Sequence, residues 1–290
     1  PEDWVPLPGA LEAVARLNQA GWRVVIVSNQ PGIGRGLLDM AGLNAIPRRV
    51  IGNAAHGGGG MALNAVPRER GGGPAVGLTM FGVTTACITE IRRLLGEGSE
   101  CFVFHATGTG GQCFEKLIDS GLITAALDIT TTEVADHLFG GVLPCTEDRF
   151  GAVIRRRIPW VGSVGAVDMV NFGPRETVPQ QFAGRNLYVH NAQVTLMRTT
   201  PEENAAIGRW ICERVNRMQG PVRFLLPLQG VSAIDAPGKP FHDPAADAAL
   251  FEAIRSAWVA APNRRLIEVN AHINDPAFAE AAVHAFRDVT

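Results

Sequence analysis

The chain has 290 residues, of which 46% are hydrophobic and 19% charged, and its 26 Lys plus Arg against 28 Asp plus Glu give a net charge of −2. That composition excludes a disordered, collagen-like or coiled-coil chain and supplies a core for one large or two modest domains. Near-neutrality argues against broad nucleic-acid binding, and the longest apolar run is strand-sized, far short of the roughly 20 residues of a membrane helix.

Over 8–20, Leu11, Val14, Ala15 and Leu17 follow helical spacing, with Pro8 suited to the first turn and Gly21 ending the helix. Trp22 to Val27 reads as a buried strand that ends in the polar turn Ser28-Asn29-Gln30, and a short helix follows over 37–46. Glycine runs at 57–60 and 71–73 bracket a polar stretch with Arg68, Glu69 and Arg70, which reads as a linker. The pattern therefore predicts an α-β-α fragment over 1–49, a linker over 50–74 and a main domain over 75–290.

In the main domain strand and helix patterns alternate. Strands are predicted over 76–81, 101–105, 125–129, 159–164, 187–190, 222–227 and 266–270. Helices are predicted over 85–95, 112–120, 133–138, 147–157, 201–218, 243–257 and 276–286. Alternation at this spacing predicts an α/β, Rossmann-like fold, with a mainly parallel sheet and helices on both faces.

Ligands of such a sheet bind beyond the carboxyl ends of the strands. Three successive exits are Gly82-Val83-Thr84-Thr85, Ala106-Thr107-Gly108-Thr109-Gly110-Gly111 and Thr130-Thr131-Thr132-Glu133. Each runs into a predicted helix, so free amides, close approach at glycine and threonine hydroxyls would combine into an anion site. The second exit is neither a Walker lysine loop nor a full GxGxxG fingerprint, and its bland reading is a glycine turn with a helix cap. Candidate binding residues are Thr84, Thr85, Thr107, Gly108, Thr109, Gly110, Gly111, Thr130, Thr131 and Thr132, joined by Arg198 before the long helix.

The remaining exits carry Asp168, Asn171, His190, Asp235, His242, Asp243, His272, Asn274 and Asp275. From these, His105, Asp168, His190 and His272 are candidate acid/base groups, the last paired with Asp275. No HExxH or similarly spaced set is present, and no metal is predicted. Arg155-Arg156-Arg157 closes a predicted helix and reads as a solvated face, so neither nucleic acid nor membrane is an expected partner. Cysteines 87, 101, 113, 145 and 212 show no paired spacing, which predicts free thiols in a reducing cytoplasm. Cys87 and Cys113 sit about one turn into their helices and read as core packing. The chain opens on Pro1 without a secretory pattern, and an upstream piece is expected.

From about Ile51 onward, IGNAAH, GLTMFGVTT, FVFHATGTGG, LDITTTEVADHLFGG, HNAQVTLMRTTPEEN and NAHINDPAFAEAA resemble the Tm-type ATP-binding domain family, an uncharacterised protein family. The resemblance implies two Rossmann-like domains in full-length members, of which this chain keeps the second and a remnant of the first. It further implies nucleotide binding and, in a plant member, an inhibitory interaction with viral replication proteins; it implies no reaction. PEDWVPLPGALEAVARLNQAGWRVVIVSNQPGIGRGLLDMAGLNAI at the start is similar to the heptose bisphosphate phosphatases of the haloacid dehalogenase superfamily. That similarity makes Ser28 the phosphate-binding hydroxyl, with Asn29 and Gln30 beside it. The family's aspartates, lysine and magnesium ligands have no counterpart here, so no phosphatase activity is expected.

The leading expectation is a protein that binds ATP or another phosphate- or carboxylate-bearing small molecule. Rival readings are a hydrolase or transferase using the histidines and Asp168, and a protein-interaction module with a vestigial pocket. A homo-oligomer is compatible with each.

Overall fold

Residues 74–290 are described in the computed structural model, and the fragment expected over 1–49 and the linker up to 73 lie outside the described residues. β1 (Ala75–Met80) leads to α1 (Thr85–Leu95), β2 (Glu100–His105) to α2 (Thr109–Asp119), and β3 (Ala125–Thr130) to α3 (Glu133–Phe139) and α4 (Gly151–Arg156). β4 (Trp160–Gly165) precedes β5 (Met169–Phe172), β6 (Leu187–Asn191) and β7 (Val194–Arg198). The chain closes with α5 (Pro201–Val215), β8 (Val222–Pro227), α6 (Pro244–Ala257), β9 (Arg264–Val269) and α7 (Pro276–Arg287).

A single six-stranded parallel sheet runs in the order β2-β1-β3-β4-β8-β9. Because β2 lies on one side of β1 and β3 on the other, the β1/β3 seam is the topological switch point of an α/β fold. Ile88 and Ile91 of α1 pack with Phe278 and Ala282 of α7 in one core cluster. Phe114 of α2, Val134 of α3, Val153 of α4, Ile211 of α5 and Leu250 of α6 share the other. Strands β3, β4 and β8 are buried at every position, as strands covered on both faces must be. At Gly77 of β1 a Cβ would stand 2.7 Å from Phe114 Cε2 and 2.9 Å from Ile123 Cδ1, so its absence lets α2 settle onto the sheet.

Local chemistry sets the helix starts. Thr200 accepts the Glu203 amide while the Glu203 carboxylate accepts the Thr200 amide, and Pro201 fills the first turn of α5. Asp243 caps α6 by accepting the amides of Ala245 and Ala246.

Three expectations need correction. The stretch 187–190 is not a strand of the parallel sheet: it is β6 of a separate antiparallel sheet ordered β5-β7-β6. A tight turn, in which Asn191 Oδ1 accepts the Gln193 amide at 2.8 Å, joins β6 to β7, whereas a parallel return needs a crossover of a dozen or more residues. Second, α2 starts at Thr109 because Gly110 and Gly111 enter the helix, and α4 starts only at Gly151, after Phe150 adopts φ 73°. Third, Cys113 is exposed, because the inward face of α2 is made by Gly111, Phe114, Glu115 and Ile118. All five thiols are free, and burial pushes Cys87, Cys145 and Cys212 up to about 12. Among the described residues no helix is long and apolar enough to cross a membrane.

Candidate functional site

Parallel pairing of β1 with both β2 and β3 brings the three threonine- and glycine-rich exits to one rim of the sheet. Beneath that rim lies a charge that the sequence left unexplained. Asp128 stands in the wholly buried strand β3, where an unpaired carboxylate is very costly. Arg149 meets it with a bidentate fork, Nη1 to Oδ2 at 2.8 Å and Nη2 to Oδ1 at 2.7 Å. Thr79 Oγ1 and Trp160 Nε1 donate to the same carboxylate at 2.8 and 3.3 Å. Arg149 Nε donates to Glu133 Oε1 at 2.7 Å, Glu115 Oε1 lies 3.9 Å from the guanidinium, and the Phe150 ring centroid is 4.4 Å away. The pull of Arg149 into this cluster is the physical reason α4 starts late. Burial, only partly offset by Arg149, raises Glu133 above the ordinary carboxylate range and brings Glu115 to about 7.

The glycine turn rests on the same cluster. Gly108, at φ 76°, donates its amide to Glu133 Oε2 at 2.8 Å. A side chain at Gly110 would collide with the His105 carbonyl, and one at Gly111 with the Glu133 carboxylate, so the turn requires glycine at both. Among the described residues the amides of Gly110 and Gly111 have no hydrogen-bond partner.

Of the predicted binding residues, Thr84, Thr130, Thr131 and Thr132 are fully buried. Thr84 Oγ1 and Thr130 Oγ1 bond each other at 2.9 Å, and Thr131 Oγ1 donates to the Ser163 carbonyl at 3.2 Å. Thr132 Oγ1 has no partner. Thr85, Thr107, Thr109 and Gly110 stay accessible, beside a stacked Phe81–His105 pair whose ring centroids are 5.1 Å apart.

Arg198 does not join this rim. It is 4% exposed at the end of β7, where it donates to Asp247 Oδ1 at 2.8 Å, the Phe241 carbonyl at 2.7 Å and Thr199 Oγ1 at 3.1 Å. Asp235 is 3.7 Å from the guanidinium, and Asp168 accepts Ser232 Oγ at 2.7 Å while its other oxygen has no partner. Burial raises Asp168 to about 7 and Asp247 to about 8.

The acid/base candidates do not converge. Both ring nitrogens of His272 are engaged by main chain: Nε2 lies 2.9 Å from the Ser232 carbonyl and Nδ1 accepts the Asn274 amide at 3.1 Å. Asp275 accepts the His272 amide rather than meeting the ring, so the expected pair does not form. Asp168 and His272 are connected only through Ser232. His190 is exposed on β6, and His105, which partial burial holds below the usual imidazole range, ends β2. Among the described residues no three His, Cys, Asp or Glu side chains are arranged to hold a metal ion. A shallow groove of about 500 Å³ between α5 and α6, lined by Ala205, Arg209, Ala249, Glu252, Ala253 and Ser256, shares no residue with the rim.

The C-terminal domain of the uncharacterised protein family UPF0261 matches residues 73–290. The chain belongs to the UPF0261 family. It is 59% identical over 251 residues to a UPF0261 protein of Rhizobium meliloti, covering 87% of this chain and 63% of the relative. A UPF0261 protein of Clostridium tetani is 46% identical, over 84% of this chain and 61% of the relative. The tomato ToMV resistance protein Tm-1(GCR237) is 43% identical over 263 residues, covering 88% of this chain and 34% of the tomato protein. The chain thus spans less than two thirds of the relatives it matches. These matches lend no support to the haloacid dehalogenase resemblance of residues 1–48.

Proposed function

We propose that this UPF0261 domain binds a small anionic ligand, a nucleotide such as ATP or another phosphate- or carboxylate-bearing molecule, on the outer surface of the β1–β3 rim. The Gly108–Gly111 turn carries the reading. It already holds one carboxylate, that of Glu133, on the Gly108 amide. Among the described residues it also leaves the Gly110 and Gly111 amides without partners at the positive end of α2. The accessible hydroxyls of Thr85, Thr107 and Thr109 flank those amides, and the Phe81–His105 stack supplies a flat face for a ring. Thr84, Thr130, Thr131, Thr132 and the Arg149 cluster act as the framework beneath.

Titration calorimetry of the chain with ATP, a sugar phosphate and a simple carboxylate tests this. At least one should release heat, and Thr109→Glu, which adds a negative charge without filling a glycine position, should remove that heat. No heat with any of the three rejects ligand binding. The observation favouring a second reading is that Thr84 bonds Thr130 and Arg149 bonds Glu133, so that these buried side chains find their partners within the protein. In that reading the rim is a rigid surface for a protein partner, in keeping with the tomato relative's name as a virus resistance protein.

A further inference from the structure

The segment 228–243, between β8 and α6, wraps one buried guanidinium. Arg198, at the end of β7, donates Nε to the Phe241 carbonyl at 2.7 Å and Nη2 to the Asp243 carbonyl at 3.3 Å. Asp235 of the same segment lies 3.7 Å from Nη2, and its Oδ2 accepts the Val231 amide at 2.9 Å. Ser232 donates to Asp168, between β4 and β5, at 2.7 Å. The Ala233 amide donates to the Val83 carbonyl at 2.9 Å. The segment is thus a strap that ties the antiparallel sheet, α6 and the β1 exit together.

The inner face of the strap does not balance its charges. Asp168, Asp235 and Asp247 come from three parts of the chain, and all are buried around the one cation. Three ionised carboxylates against a single guanidinium would leave two negative charges in a dry interior, at great cost. Asp247 Oδ1 accepts Arg198 Nη2 at 2.8 Å, and the Asp247 carboxyl group is in hydrogen-bond contact with Asp235, whose Oδ1 has no donor while both acids are ionised. Two carboxyl groups can bond each other only through a proton held between them.

Among the described residues the other charged groups here are engaged or turned to solvent. Asp243 caps α6, and Arg185 pairs with Glu203 at 2.6 Å beside the Arg198 carbonyl. His272 meets the strap at the Ser232 carbonyl, while Lys239 and His242 are exposed. Loss of the proton would set two anions side by side. The strain would fall on the strap, because Asp247 is fixed in a helix and Asp235 stands in a loop.

We propose that this shared proton is a latch: while Asp235 and Asp247 hold it the strap is fastened to β7 and α6, and its loss as pH rises frees the strap. A carboxyl group raised by burial favours the closed strap while protonated, and that contribution is lost as pH climbs through the folded value, about 8 for Asp247. The inference is independent of the anion-binding reading.

Tyr188, the chain's one tyrosine, packs edge-on against Phe241 with ring centroids 6.3 Å apart and so reports on the strap. His190→Gln supplies the background, because the His190 ring stands equally close to Tyr188. In that chain, with tyrosine isotope-labelled in its ring, the Tyr188 nuclear magnetic resonance signals should shift in a single step between about pH 6 and 8, at constant far-ultraviolet circular dichroism. Asp247→Asn and Asp235→Asn each replace the shared proton by an amide donor that does not titrate, and each should hold the low-pH signals throughout. Hydrogen exchange over 231–241, corrected for hydroxide catalysis, should quicken about tenfold per pH unit up to about pH 8 in the parent chain and in neither variant. Signals that do not move with pH, a step that persists in either variant, or a step accompanied by loss of circular dichroism overturns the proposal.

Discussion

Arg149 and Arg198 are each buried among three carboxylates, yet their hydrogen bonds go to different kinds of partner. Arg149 places all three guanidinium nitrogens on carboxylate oxygens of Asp128 and Glu133. Arg198 bonds one carboxylate closely and turns its other donors to the Phe241 and Asp243 carbonyls and to Thr199. Asp168 and Asp235 each keep one oxygen without a hydrogen bond there. The comparison teaches that burial and charge count do not define a cluster's role. Where the fork is saturated by carboxylates, the cation fixes geometry under the β1–β3 rim. Where the fork is shared with main chain, burial raises the carboxyls of Asp168 and Asp247, and Glu115 at the margin of the Arg149 fork behaves likewise.

The largest expected effect tests the first half of that contrast. Arg149→Met leaves Asp128 and Glu133 buried without their cation and should cost about 3–5 kcal/mol in denaturant unfolding. A loss below about 1 kcal/mol would show that the fork does not hold the rim.

The pH profile tests the second half. Asp168 and Asp247 rise to about 7 and about 8 on burial, and Glu115 and Asp136 also reach about 7. A carboxyl with a raised folded pKa stabilises the fold while protonated, and that contribution is lost as pH climbs through the folded value. Unfolding free energy should therefore fall between pH 6 and 8 by about 1–2 kcal/mol per retained proton. Asp247→Asn, a neutral isostere, should flatten the fall without abolishing it, because Glu115 and Asp136 titrate in the same sense. A thermal midpoint that climbs over this interval contradicts the assignment.

A smaller effect probes the glycine turn beside Arg149. Glu133→Gln removes the carboxylate that occupies the Gly108 amide and should tighten phosphate or ATP binding about three- to tenfold, equivalent to about 1 kcal/mol. Unchanged or weaker affinity by calorimetry would separate the internal carboxylate from the ligand site. The gentlest test is thiol labelling of the native chain. Cys113 should react quickly, whereas Cys145 beside the Arg149 cluster and Cys212 within the core should stay silent until unfolding. Rapid labelling of Cys145 alone would mark the first cluster as the looser one.

Much of this architecture was legible in the residues, for reasons that also explain the failures. Alternating apolar runs identified all six strands of the parallel sheet, since a strand covered on both faces must be apolar nearly throughout. β5 and β7 escaped because they are short segments of a hairpin sheet embedded in a parallel pattern, although the Asn191 turn was a local signal. At 108, 110 and 111 the residues call for glycine to let an anion approach, and in the fold the groups that approach are the Pro144 carbonyl, the His105 carbonyl and the Glu133 carboxylate. Which threonines face inward depends on tertiary pairing of Thr84 with Thr130, which no local pattern encodes. Asp128 did leave a trace: a lone acid in the apolar run of β3 demands a buried cation, and that demand points toward an arginine such as Arg149.

Gly77 carries a wider meaning than its size. The missing methyl lets Phe114 lie against β1, and the Arg149 guanidinium carbon stands 5.8 Å from the centroid of that same ring. One hydrogen atom at the middle of a strand thus sets the seat of α2, the stance of its aromatic prop and the poise of the guanidinium above. Alanine at this position would act as a shim under a lever, lifting the helix start at Gly110 and Gly111 although it touches neither.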